Sequence, residues 1–385
     1  MRIPRIVAVV AIAVLLPAVV LSGCAGAKDK TTLRVGLITP LTGDVKTFGE
    51  STKNGFLLAM EQAGVTLDKG GKIGNVPVKL FIQDDRNDVT EGVNVATKLI
   101  NENKVQAIIG SVTSKVTIPI TKVTNDAKVI QITSTATNPK VTVEDGKRKP
   151  YAFRACFIDP FQGTVGAKFA LDNLHAKTAA ILYDQSNDYT IGLSNYFKDA
   201  FEKGGGKVLK MAAYATNDTD FSAVLTDIAK LKPDILYLPD YYQKVSLIGK
   251  QARARGIKAI FMGGDGWDSS ELDFKVMDGG YFTNHYSPDD PRPIVQDFIK
   301  AYKAKYNAVP DALATLAYDA TNMLISAVKQ TQSNDVEKLR EALSTMTFHA
   351  VSGDIKNDAD GNPIKAAAIL QIKDGKQVFV ASVNP

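Results

Sequence analysis

Ser111, Thr113 and Ser114 follow the apolar run Ala107–Ile109, and Thr133, Ser134, Thr135 and Thr137 follow the apolar run at 129–132. Between the two runs, Val116, Ile120 and Val123 recur at helical spacing. A strand–helix–strand unit of this kind has parallel strands and a right-handed crossover. Both hydroxyl clusters then lie at the carboxyl ends of neighbouring strands, where open α/β sheets bind ligands. Hydroxyls beside the free N–H groups of a helix start suit a small carboxylate, with no Lys or Arg required. Small hydroxyl residues also cap helices and fill turns, so that reading stays open beside the first.

The second half carries the opposite chemistry. Tyr189, then Tyr241 and Tyr242, then Asp265 and Trp267 follow three apolar runs, at 178–183, 234–238 and 259–262. A carboxylate flanked by aromatic faces suits an ammonium. A zwitterion fits between the two halves. Catalytic signals are thin: His175, His285 and His349 are widely separated, and no nucleophile elbow, phosphate loop or dinucleotide glycine fingerprint occurs. Asp84, Asp85 and Asp88 alternate with Arg86 and Asn87, and read as a loop and helix cap. The Asp358-Ala359-Asp360-Gly361 stretch reads as a tight turn rather than a calcium loop. No cofactor, no metal and no enzymatic activity are expected.

The elements that must position these residues alternate along the chain. The pattern predicts strands at Leu33–Thr39, 76–83, Ala107–Ile109 and 129–132, with helices at 48–63, 88–100 and between the hydroxyl clusters. An extended run at 151–157 begins a second series, with strands at 178–183, 208–214, 234–238 and 259–262. Helices lie between them, and Gly204-Gly205-Gly206 stops one of these. Three amphipathic helices at 294–306, 313–328 and 336–346 follow, then extended segments at 351–354, 366–372 and 377–383. The fold class is α/β.

Arg2 and Arg5, an apolar run at 6–20 and Leu21-Ser22-Gly23 before Cys24 resemble a lipoprotein signal peptide. Cleavage before Cys24 and lipidation of its sulfur are expected, with residues 24–30 as a small polar tether. If Cys24 carries lipid, Cys156 is the one remaining cysteine and no intramolecular disulfide can form. The rest of the chain is long for one core, so two domains are expected. With 46 Lys and Arg against 41 Asp and Glu, the +5 formal charge is mild and shows no basic block. Nucleic acid is therefore not an expected partner. The body reads as soluble and extracytoplasmic.

The stretches LRVGLITPLTGDVKTFG, IIGSVTS, ITSTATNP, FRACFIDPFQG, LYDQSNDYTIG, PDYYQKVSLIGKQARARG and FMGGDGWDS, in this order and spacing, resemble a known family. It is the substrate-binding lipoproteins of branched-chain (hydrophobic) amino acid ABC transporters. The resemblance covers essentially all of residues 33–383. It implies two Rossmann-like lobes with parallel sheets, three hinge crossovers and a ligand in the interlobe cleft. Residues 31–155 and 284–360 would form lobe 1, and residues 156–283 and 361–385 lobe 2. It implies roles as well: Ser114, Thr135 and Thr137 at the ligand carboxylate, Asp265 at the α-ammonium, and Tyr189, Tyr241 and Phe48 around the side chain. Asp265 stands where well-known members carry Glu, and Trp267 adds bulk beside it. The implied protein is a monomer, lipid-anchored outside the cell membrane, that delivers a small aliphatic or branched-chain amino acid to ABC permease subunits. An amide, urea or aromatic acid as ligand, or a sensory rather than transport role, are the alternatives.

Overall fold

A computed structural model describes Met1 and Thr31–Pro385; the leader, Cys24 and the tether lie outside the described residues. The alternating pattern builds two seven-stranded sheets. The first contains β1 (Leu33–Thr39), β2 (Val65–Thr66), β3 (Gly70–Ile73), β4 (Val76–Asp84), β5 (Ala107–Ile109) and β6 (Ile130–Thr133). After a small hairpin of β7 (Val143–Glu144) and β8 (Lys147–Arg148), β9 (Ala152–Arg154) completes it. The strand order is β2-β3-β4-β1-β5-β6-β9, parallel from β4 onward. Helices α1 (Lys46–Gln62), α2 (Val89–Asn101) and α3 (Ser114–Asp126) make the connections.

The second sheet takes β10 (Thr178–Asp184), β11 (Lys207–Tyr214), β12 (Ile235–Tyr237), β13 (Ile260–Gly263) and β14 (Tyr281–Asn284). Its helices are α4 (Asp159–Asp172), α5 (Asp188–Lys203), α6 (Ser222–Leu231) and α7 (Tyr242–Ala254). The chain then returns to the first sheet as α8 (Pro293–Tyr306), α9 (Ala312–Thr331) and α10 (Val336–Thr345). Leu316, Met323 and Leu324 of α9 share one core with Val35, Phe56 and Ile109. After the hairpin β15 (Thr347–Phe348) and β16 (Ile355–Lys356), β17 (Ala367–Lys373) and β18 (Lys376–Val383) close the second sheet antiparallel. Its order is β11-β10-β12-β13-β14-β17-β18.

Parallel strands covered on both faces read as continuous apolar runs, and β5, β6 and β12 are buried throughout. In each sheet the order reverses beside the first long strand: β4 and β5 flank β1, and β11 and β12 flank β10. Such a reversal opens a crevice at the strands' carboxyl ends. The chain passes between the sheets at 155–158, 285–292 and 357–366. Lys365 joins the third passage to the first, donating from Nζ to Ala155 O (3.2 Å), and also donates to the Ser352 hydroxyl. Ser352 in turn donates to Asp319 (2.6 Å). Burial pushes the Lys365 ammonium down to about 8.

Besides the short strands β2, β3, β7, β8, β15 and β16, which carry no sequence signal, three segments differ from the sequence expectation. The run at 151–157 does not open the second series; Ala152–Arg154 pairs with β6 and ends the first sheet, because β6 has an open parallel edge there. β14 carries too short a run, Tyr281–Asn284, to signal a strand, and its neighbours recruit it. Residues 351–354 turn instead of extending, because Asp319 accepts the Val351 and Ser352 N–H groups at 2.9 and 3.0 Å. The carboxylates of the two aspartate-rich loops are taken up by backbone N–H groups. Asp84 accepts Leu41, Thr42 and Arg86 N–H groups, Asp88 caps α2, and Asp358 accepts from Asp360 and Asn362 N–H.

α1 and α9 pack closely where Gly55 faces the Ala314 carbonyl. A Cβ on Gly55 would stand 2.1 Å from that oxygen. The overlap outweighs the helix propensity an alanine would add. Gly55→Ala should therefore cost about 1–3 kcal/mol of stability, read as a lower denaturant midpoint at unchanged slope.

Candidate ligand-binding site

The carboxyl ends of the two sheets face each other across a narrow cleft. In this structure the cleft is shut: Tyr242 Oη donates to Asp44 O (3.2 Å), the Thr47 and Ser269 hydroxyls lie 3.0 Å apart, and Asn138 Nδ2 donates to Asp188 O (2.8 Å). Between the lobes lies a cavity of about 20 Å³, lined by Phe48, Val112, Thr113, Ser114, Thr135, Tyr189, Tyr241, Asp265, Gly266 and Leu313. That is room for about one water, so a larger ligand enters only when the lobes part.

Each wall follows from the topology. Phe48 comes from the first turn of α1 after β1, Val112 to Ser114 from the link between β5 and α3, and Thr135 from the loop after β6. Opposite them, Tyr189 opens α5 after β10, Tyr241 precedes α7 after β12, and Asp265 follows β13. The aromatic wall is itself packed. Tyr189 and Tyr241 stack 5.4 Å apart, and Phe48 meets Tyr241 edge-on at 5.8 Å. No Lys or Arg lines the cavity.

Asp265 supplies its single carboxylate. Oδ1 accepts from Gln162 Nε2 and from Tyr189 Oη, each at 2.9 Å, and Oδ2 lies 3.0 Å from His285 Nε2. A carboxylate has about four acceptor positions. Three are filled from behind, which leaves one for a cation in the cavity. Gly264 is required for this arrangement, since a Cβ there would stand 2.6 Å from Tyr189 Oη and 2.9 Å from Gln162 Nε2. Burial pushes the Tyr189 and Tyr241 phenols well up, so both are neutral donors. Burial also lowers His285, against the pull of Asp265.

The opposite end offers hydroxyls and a helix start. α3 begins at Ser114, whose own N–H has no partner within the helix. Ser114 Oγ accepts from Asn138 N–H at 3.3 Å and keeps its proton free to donate. Thr135 Oγ1 donates to Val112 O at 2.9 Å and can still accept. Ser111 and Thr113 bond away from the cavity, to Asp85 and to Asn87 Oδ1. Part of the hydroxyl cluster therefore serves the loops, as the turn-and-cap reading allows.

Six of the eight ligand residues expected from sequence line one cavity: Phe48, Ser114, Thr135, Tyr189, Tyr241 and Asp265. Thr137 and Trp267 do not. Trp267 is fully buried and donates from Nε1 to Leu238 O (2.9 Å), because a large ring with one donor finds a better home in the second lobe's core. Thr137 turns its hydroxyl toward Asp159, and neither side chain makes a hydrogen bond of ordinary geometry among the described residues. Gln162 and His285 were missed as site residues. Gln162 lies in the FQG stretch, one turn into α4; a lone histidine carries no signal of its own.

The chain belongs to the periplasmic binding protein family, whose model matches residues 32–377. This family consists of solute-binding proteins, not catalysts. A leucine-, isoleucine-, valine-, threonine- and alanine-binding protein of Pseudomonas aeruginosa is 31% identical over 337 residues, 86% of this chain and 87% of that one. The leucine binding protein LivK of Thermotoga maritima superposes with a TM-score of 0.85 at 36% identity, over 92% of this chain and 99% of that one. A solute binding protein of an R. palustris ABC transporter, solved with benzoate, has a TM-score of 0.82 at 26% identity, over 92% and 97%.

Asp159, the first residue of α4, is fully buried, and burial pushes its carboxyl up to about 8. The folded protein therefore holds this proton where the unfolded chain has lost it. The stabilising contribution is complete below about pH 4 and is lost as pH rises through 8. Asp159→Asn, which mimics the neutral acid, should be progressively more stable than the native protein from pH 5 to pH 8 in paired calorimetric scans, and the difference should level off above that. A difference independent of pH would mean that Asp159 is already charged.

Proposed function

We propose that this protein is the extracytoplasmic solute-binding component of an ABC importer, and that its ligand is a small amino acid of aliphatic or branched-chain type. One observation carries the reading. A single cavity has hydroxyls and a helix start at one end, and a carboxylate with one vacant acceptor position at the other. Those two ends match a zwitterion, while Phe48, Val112, Leu313 and the tyrosines between them suit an apolar side chain. The named specificities of the Pseudomonas and Thermotoga relatives agree with it. In this reading residues 31–155 with 284–360, and 156–283 with 361–385, are the lobes. They open at the three crossovers to admit the ligand, and the permease recognises the closed form. Ser114 and Thr135 receive the ligand carboxylate, Asp265 its ammonium.

A second reading, an aromatic acid without an amine, is favoured by the density of aromatic rings in the wall and by the benzoate-bound neighbour. It leaves Asp265 with no ligand partner. The two readings separate on one substitution. After unfolding and refolding to strip carried-over ligand, Asp265→Asn should bind leucine at least about tenfold more weakly by calorimetry, for a charge-assisted bond of about 1.5–3 kcal/mol. Its affinity for 4-methylpentanoate, leucine without the amine, should not fall. Binding of benzoate but no amino acid would favour the second reading.

The leader supports secretion, cleavage before Cys24 and a lipid anchor on its sulfur. Mass spectra of the native protein should show a lipidated Cys24 at the N-terminus, and Cys24→Ser should lose both the lipid and the cleavage. A native N-terminus other than a lipidated Cys24 would remove the anchor.

A further inference from the structure

Two of the three donors on Asp265 stand on helices of the second lobe and travel with it: Gln162 on α4 and Tyr189 on α5. The third does not. His285 follows β14 directly and begins the second crossover. Its ring stacks on Phe157 of the first crossover, centroids 3.7 Å apart and planes 28° apart. Its backbone N–H donates to Asn284 Oδ1 (2.8 Å), and Asn284 Nδ2 donates to Asp268 Oδ2 (2.9 Å). That same oxygen accepts the N–H of Ala312, the first residue of α9, on the first sheet's side of the cleft (2.8 Å). The charged groups around the imidazole are Asp265, Asp268 and Lys365. His285 Nδ1 is buried with no partner among the described residues. A proton there would be an unsatisfied donor, so the neutral ring carries its proton on Nε2, where Asp265 accepts it.

We propose that His285 is a positioning residue for ligand recognition. Its Nε2–H turns the Asp265 carboxylate toward the cavity and ties it to the start of the second crossover. The role rests on the amino acid reading above. Without an ammonium, the oriented carboxylate has nothing to receive. It also bears on the shorter acid at this position. An Asp reaches less far than a Glu, so its orientation must be imposed from behind, and three donors impose it.

Two substitutions separate the N–H from the ring stack. His285→Phe keeps an aromatic ring against Phe157 and removes the donor; His285→Gln places an amide N–H near the Nε2 position and removes the ring. Calorimetric titrations with leucine, and displacement titrations with 4-methylpentanoate, would be run on both variants beside melting curves that confirm folding. His285→Phe should lose about tenfold in leucine affinity and keep its affinity for 4-methylpentanoate, while His285→Gln stays within about threefold of the native protein for both. Equal losses for the two ligands in His285→Phe, or a Gln variant as weak as the Phe variant, would overturn the positioning role and leave a packing role. Unchanged leucine affinity in both variants would overturn the His285 assignment while leaving the amino acid reading intact. A native protein that binds only acids without an amine would overturn both.

Discussion

The Asp265 carboxylate, taken out of water and held by Gln162, Tyr189 and His285, is the constraint around which the second lobe is arranged. A buried charge is costly unless its acceptor positions are met. Meeting three of them requires α4 and α5 to lie side by side at the correct depth and a glycine, Gly264, to follow β13. It also requires the crossover after β14 to bring an imidazole within 3.0 Å. The fourth position is left to whatever occupies the cavity. Recognition here is the completion of an unfinished hydrogen-bond shell, and the protein carries the cost of that shell before any ligand arrives.

The first lobe meets this charge with almost none of its own. It offers an unpaired N–H at the start of α3 and the Ser114 and Thr135 hydroxyls, and no cationic side chain lines the cavity. Partial charges of a helix start suffice for a carboxylate in a small, dry space. They also avoid a Lys or Arg that would pair with Asp265 across the cleft and lock it shut. The hinge is drawn on the same plan. Lys365, Ser352 and Asp319 form a buried chain between crossovers, so its charges are matched internally and do not compete with the site.

Much of this was legible along the chain. Parallel strands covered by helices leave continuous apolar runs, and the residues just after those runs are the ones that meet in the cavity; Ser114, Thr135, Tyr189, Tyr241 and Asp265 all follow that rule. Thr137 and Trp267 obey it in position and depart from it in direction. At a strand end, which way a side chain points depends on the loop's turn and on what core lies behind it. Trp267 found the Leu238 carbonyl, and Thr137 a buried carboxyl. Gln162 and His285 lie 103 and 20 residues from Asp265 along the chain, and no local pattern links them to it.

The α/β class, the order of strands and helices, and which strand ends carry hydroxyl, aromatic or acidic groups could all be read along the chain. Those properties depend on apolar periodicity and on turn and cap residues, which act over a few positions. Tertiary structure decided how those groups are used: that 152–154 closes the first sheet, that Tyr281–Asn284 joins the second, and that the Asp265 charge is held by a helix glutamine, a tyrosine and a hinge histidine. Strand recruitment and the filling of a buried acceptor depend on which edges and donors are near in space. Packing brings those groups together after the local elements exist.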